Sequence, residues 1–232
     1  MIPLRDDQPI FSTPFINYFL ILVNVLVFMW ELSVSHRALS TFMQEFAVIP
    51  HHTLAVLTGH STDPIATAIL PFFTSMFLHG SFWHVAGNML ALWIFGDNVE
   101  DYLGHFNYLL FYLLSGVAAG LTHTLLNPNS NLPSVGASGA IAGVMGAYFI
   151  LYPRARVLIW FPPIFFFHVP AWLMLGYWFL TNFLSGTSTA IAYTSQTSGG
   201  IAFWAHVGGF ISGIVMVKVF HERPHRVRYG TW

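Results

Sequence analysis

From Phe15 to Ser33 the chain carries a nearly unbroken apolar run, and comparable runs recur at about 82–100, 106–126, 138–152, 157–185 and 201–219. A bilayer-crossing helix needs about 20 consecutive, mostly apolar residues, so the pattern predicts six transmembrane helices. The segment 34–77 between the first two runs is neither polar nor a clean span. Its apolar pieces, Phe42 to Ile49 and Leu54 to Leu57, alternate with Pro50, Gly59, Pro64 and His51, His52 and His60. That mixture suits an interfacial element lying among lipid headgroups, with its histidines solvated rather than acting as ligands.

Composition agrees with a membrane chain: 55% of the 232 residues are hydrophobic and 7% charged, against roughly 25% charged in soluble domains. The chain is read as one membrane domain, 1–232. No duplicated halves of the transporter kind are visible, and no basic tract beyond the short C-terminal tail suggests nucleic acid as a partner. The absence of cysteine excludes disulfides, thiolate metal sites and a cysteine nucleophile. The first run is expected to remain as an anchor and not to be cleaved as a signal peptide, because Arg5, Asp6 and Asp7 give it no net positive flank.

With six spans, Arg5, Arg154, Arg156, Lys218, Arg223, Arg226 and Arg228 fall on one side and Arg37 on the other. The positive-inside bias then puts both termini in the cytosol, together with the acidic turn Asp97 to Asp101. The compact form suits a prokaryotic inner membrane, with an organellar membrane as the alternative. Segment 34–77, the loop around Pro128 to Pro133 and the loop around Gly186 to Gly200 would face outward.

Against this background four polar residues stand out, because polar groups inside hydrocarbon are costly and usually functional. Ser138 lies where a loop with Asn127, Pro128, Pro133 and Gly136 meets a glycine-rich apolar helix. Its amide is among the unsatisfied donors of a helix start and is available to a developing oxyanion; equally, its hydroxyl could serve only as an N-cap. From Ser138 to Pro153 there are about 15 residues, or about 22 Å of helix, so the serine stops short of the far surface of a core of about 30 Å. A loop dipping to that depth needs a protein or water-filled cavity around it.

His206 lies about 12 residues, or roughly 18 Å, above Lys218 and so at a matching depth. Gly139 and Gly143 in one helix, and Ala205, Gly209 and Gly213 in the other, allow close backbone approach. A neutral His206 can accept the serine proton, and with no carboxylate at that depth the pair reads as a dyad. His84 and Asn88, four apart, share one helix face. They serve either as donors to an oxyanion or as a helix-to-helix hydrogen bond. His79, five before His84, suits a loop staple. A metal site of His79, His84 and His206 is conceivable, but there is no HExxH and no intramembrane acid pair, so neither metal nor cofactor is expected.

Three motifs in order, HxxxxHxxxN at His79, His84 and Asn88, GxSG from Gly136 to Gly139, and AHxxGxxxG around His206, resemble the rhomboid family of intramembrane serine proteases. The likeness covers nearly the whole chain, including Gly96-Asp97-Asn98-Val99-Glu100 and Pro170-Ala171-Trp172. It implies an all-α membrane protein: a six-helix bundle with a long, partly embedded first loop and a short fourth helix starting at the serine. It further implies Ser138 as nucleophile, His206 as general base, and His84, Asn88 and the Ser138 amide as the oxyanion hole. His79, Gly136, Gly139 and Gly209 would give structural support.

The fifth span, with Pro162, Pro163, Pro170, Trp172 and Trp178, would flank the side where a substrate helix enters, its prolines acting as kinks. Two departures are visible: Ala142 stands where many members carry an aromatic residue that stacks on the catalytic histidine, and the first loop lacks an evident tryptophan-arginine pair. The activity implied is endoproteolysis in or beside transmembrane helices of protein substrates in the bilayer. The competing reading is a silent member that binds transmembrane clients uncut.

Overall fold

At the centre of the molecule lies the helix Ser138–Leu151, whose residues from Gly139 to Tyr148 are all buried. A helix that is apolar on every side is stable only when surrounded. The computed structural model describes residues 2–191 and 202–220. In chain order its elements are β1 (Ile2–Arg5), α1 (Phe15–Ser33), α2 (His36–Phe46), α3 (Pro50–Leu57), α4 (Ala66–Ile69), α5 (Pro71–Thr74), α6 (Phe82–Ala91), α7 (Asp97–Leu103), α8 (His105–Leu126), α9 (Ser138–Leu151), β2 (Arg156–Phe161), β3 (Phe165–Pro170), α10 (Ala171–Ile191) and α11 (Phe203–Met216). A π-helical stretch, Leu92–Gly96, joins α6 to α7.

Among the described residues two helices, α1 and α8, are both long and apolar enough to cross a membrane. Helix α1 buries polar residues alongside Leu20 and Phe28 and exposes an apolar face. Asn17, Asn24 and Glu31, seven apart, are buried, while Phe19, Leu22, Leu26 and Met29 are exposed. This pattern is what a lipid-facing helix of a bundle requires, since its outer face needs no polar groups.

Helices α8, α9 and α11 pack with their backbones in near contact. A Cβ built at Gly213 would lie 2.0 Å from the Gly143 carbonyl oxygen, and one at Gly139 would lie 2.7 Å from Cβ of Ala119 in α8. Bulk at these positions would force the helices apart. The expected start of the last run at Ile201, most of the loop before it and the tail arginines Arg223, Arg226 and Arg228 lie outside the described residues.

The structure corrects the expected fifth span. The run 157–185 is not one helix: its first part forms the hairpin β2–β3, and β1 from the N-terminus adds to it as a third antiparallel strand, Ile2 opposite Trp160 and Pro3 opposite Ile159. Pro162 and Pro163 therefore occupy the hairpin turn, and Pro170 immediately precedes α10, so none of them kinks a span. The reason is that β-branched and aromatic residues satisfy an apolar-run test as well as they satisfy a sheet.

The acidic turn packs against the start of α1. Glu100 is fully buried, and its carboxylate accepts hydrogen bonds from the backbone amides of Ile16 (3.0 Å) and Asn17 (2.6 Å), capping the start of α1. Asp101 likewise accepts from the Ser12 amide at 2.7 Å.

The first loop is built from α2 to α5. No residue of α2 is buried, which suits the interfacial character expected of it. His51 and His60 are exposed, and His52 pairs with Asp63 at 3.1 Å. The loop reaches the segment before α9 at three points: Val48 and Ser134 exchange backbone hydrogen bonds, the His51 amide donates to the Ser130 carbonyl, and the Gly136 amide donates to that of Ser75. These contacts fix the approach to Ser138.

Candidate active site

Helix α9 begins at Ser138 with Ala137 at its N-cap position, and no side chain caps it. The serine hydroxyl is therefore not spent on its own helix; Ser138 Oγ lies 2.7 Å from Nε2 of His206 in α11. The first backbone hydrogen bond of α9 runs from the Ile141 amide to the Ala137 carbonyl. The amides before Ile141 form the open, partly positive end of the helix.

Gly136, two residues earlier, has φ +126°, a conformation that side-chain-bearing residues rarely adopt. A Cβ there would also lie 2.6 Å from Cε1 and 2.7 Å from Nε2 of His84, and 3.6 Å from Ser138 Oγ. The His84 imidazole thus lies against the turn that presents the serine, and Ser138, His84 and His206 share one site. Asn88, buried on the same helix as His84, is directed elsewhere: its Nδ2 is 3.0 Å from Nε2 of His79. The His79 amide in turn donates to the Glu31 carboxylate at 2.9 Å, tying the end of α1 to α6. Burial, with the His84 ring 5.2 Å away as a smaller cause, pushes the His79 imidazole down to about 4. A neutral His79 accepts the Asn88 hydrogen bond, and the second Asn88 amide hydrogen is left for another acceptor.

Two residues complete the surroundings of His206: Asn182, which the sequence did not single out, and Trp178, which was expected to flank the substrate's entry. Nδ1 of His206 lies 2.7 Å from Oδ1 of the buried Asn182, and the Trp178 ring tilts over the imidazole at a centroid distance of 5.4 Å. Both come from α10, one turn apart. The aromatic support absent at position 142 is therefore supplied from a different helix. Ala142 is instead a packing residue, 3.1 Å from where a Cβ on Gly209 would fall. A polar residue inside an apolar run was the available signal for Asn182.

A membrane-type helical bundle with a serine hydroxyl and an imidazole in hydrogen-bond contact is the class that fold and site define. Residues 66–223 match the Rhomboid domain. The chain is 31% identical over 226 residues to "Rhomboid protein 1, mitochondrial" of Saccharomyces cerevisiae, covering 93% of this chain and 58% of that protein. It is 27% identical over 213 residues to "Presenilin-associated rhomboid-like protein, mitochondrial" of Rattus norvegicus, covering 88% and 48%. With "Rhomboid-like protein 11, chloroplastic" of Arabidopsis thaliana it shares 28% over 161 residues, covering 66% and 53%.

The chain belongs to the rhomboid family, many of whose members are intramembrane serine proteases. It spans about half the length of the curated relatives it matches. The organellar names of these relatives overturn the expectation of a prokaryotic inner membrane with cytosolic termini. The physical reason is that Lys and Arg bias orients a chain within whichever bilayer receives it and does not say which bilayer that is.

Proposed function

We propose that this protein is an intramembrane serine endopeptidase that cleaves peptide bonds in or next to transmembrane helices of membrane proteins, as a single domain of six spans in an organellar membrane. The observation that carries the reading is the 2.7 Å contact between Ser138 Oγ and His206 Nε2 at the head of a buried helix. Ser138 attacks the scissile carbonyl carbon while its proton passes to Nε2 of His206. The carbonyl oxygen, now an oxyanion, is held by the Ser138 amide and by His84, with Asn88 contributing the amide hydrogen not given to His79. Collapse of the tetrahedral intermediate breaks the C–N bond, and His206 returns the proton to the leaving amine. Water then hydrolyses the acyl-enzyme by the same two steps.

His79, Gly136, Gly139 and Gly209 hold this geometry. The partners are transmembrane substrates and the surrounding lipid; no metal or cofactor takes part. The test is labelling of the full chain in detergent or liposomes with a fluorophosphonate, alongside cleavage of a model transmembrane substrate. Wild type is expected to label and cleave, and Ser138→Ala and His206→Ala to do neither. Wild-type protein that is folded yet unlabelled and inactive on the substrate would overturn the proposal in favour of a silent client-binding member.

A further inference from the structure

We infer that Asn182 is a positioning residue for His206, so that serine, histidine and asparagine from α9, α11 and α10 form one hydrogen-bonded series; this rests on the protease reading above. The inference starts from the geometry of one amide. Nδ2 of Asn182 is 2.8 Å from the Trp178 carbonyl one turn earlier, and Oδ1 is 2.7 Å from Nδ1 of His206. Exchanging the two amide atoms would set Oδ1 against a carbonyl oxygen, so the Trp178 carbonyl fixes which way the amide points. An acceptor facing Nδ1 requires Nδ1 to carry the proton.

That assignment reaches the reacting atoms. With Nδ1 protonated, Nε2 of the neutral ring carries the lone pair, and it is Nε2 that lies 2.7 Å from Ser138 Oγ. Asn182 thereby selects the tautomer in which His206 acts as acceptor for the serine proton. When that proton moves to Nε2, the Nδ1–H stays in place and its bond to Asn182 becomes charge-assisted. No proton passes to the amide, so the proton count at the site is that of the dyad alone.

An amide is also the less costly choice here. Asn182 is buried in an apolar helix, where a carboxylate would have to be desolvated in every state of the cycle, whereas a neutral acceptor is not. The same helix fixes the ring in a second way. Trp178 and Asn182 are four apart and share one face, so the imidazole is held by stacking from one and by a hydrogen bond from the other. Phe179 of α10 packs on Phe210 of α11 at 4.9 Å between ring centroids, next to this pair. Displacement of α10 would release both holds at once and leave His206 free to adopt the unproductive tautomer.

The experiment uses the full chain in three forms, wild type, Asn182→Leu and Asn182→Asp, each checked for folding by its thermal transition. The first readout is the 15N spectrum of histidine-labelled protein, with the His206 signals assigned by their loss in His206→Ala. Wild type is expected to show protonated Nδ1 and unprotonated Nε2 in the neutral ring, and Asn182→Leu to show a mixture or the reverse. The second readout is the rate of fluorophosphonate labelling against pH, with kcat and KM on the model substrate.

Asn182→Leu is expected to lose at least about tenfold in labelling rate and kcat with little change in KM, as for removal of part of a general-base device. Asn182→Asp is expected to recover labelling with a shifted pH profile, since its carboxylate also accepts from Nδ1. A folded Asn182→Leu protein with the wild-type tautomer, labelling rate and pH profile would overturn the inference. If wild type has the expected tautomer but neither labels nor cleaves, the protease reading fails while the positioning of His206 by Asn182 stands.

Discussion

The α-carbon of Gly209 faces the carbonyl oxygen of Gly139 so closely that a Cβ at position 209 would lie 2.1 Å from it. The obstacle is backbone and cannot rotate away. Because Gly139 follows Ser138 and Gly209 lies one turn beyond His206, the same contact sets the separation of the two reactive groups. Gly209→Ala is therefore expected to destabilise the fold by about 1–3 kcal/mol, as overpacking does, and to reduce fluorophosphonate labelling of the protein that remains folded. Gly87→Ala, where a Cβ would meet nothing within 4 Å, serves as the neutral control. Equal thermal transitions and equal labelling for the two variants would refute the argument.

Gly136 couples a backbone constraint to the site more directly. A side chain there meets both an unfavourable φ of +126° and the imidazole of His84. Gly136→Ala is expected to cost about 1–3 kcal/mol in backbone strain and to displace His84 from the Ser138 turn. The informative measurement is the split between kcat and KM on a transmembrane substrate. Loss confined to kcat is expected, since an oxyanion donor acts in the transition state; a pure KM effect would exclude His84 from that role.

How much of this was legible in the sequence depends on the range of the forces involved. Helix α1 has the bounds that its apolar run predicts, and α9 begins at Ser138 as the loop-to-helix change in composition indicates, because both signals are local. The glycine spacings likewise anticipated the packing of α9 against α11. The hairpin is not legible in an apolar-run test because its β-branched and aromatic residues suit a span as well as a strand; the pairings that distinguish it, Phe161 with Phe165 and Ile2 with Trp160, belong to the fold. The role of Glu100 was not legible either, its partners being the amides of another helix. Asn88 lies on the face expected of it, but a periodicity argument gives a face and not a rotamer, and its amide is bonded to His79. Asn182 belongs to no motif and acquires meaning only through the atoms on either side of it.

Burial of Glu100 makes the start of α1 a sensitive point far from the chemistry. Its carboxylate accepts the amides of Ile16 and Asn17 and contacts Nδ1 of His105. In Glu100→Ala these donors lose their acceptor inside the protein, which costs about 1–3 kcal/mol for each group left unsatisfied. The expected outcome is a lower thermal transition with the labelling rate of Ser138 preserved in the folded fraction. Unchanged stability would mean that water replaces the carboxylate there.

Stability should also depend on pH through His79. Its folded-state value of about 4 lies below the ordinary 6.5, chiefly because burial disfavours the charged ring. Between those two values the unfolded chain binds a proton that the folded chain does not. Stability from this group is thus full above about pH 6.5 and falls as the pH drops toward 4, by up to about 3 kcal/mol for a shift of this size. The groups facing the ring and its backbone are His84, Asn88 and Glu31. His79→Gln keeps a polar partner for Asn88 but removes the titration, so its thermal transition should fall less than that of wild type between pH 7.5 and pH 4. Parallel curves for the two proteins would assign the acid sensitivity to other groups.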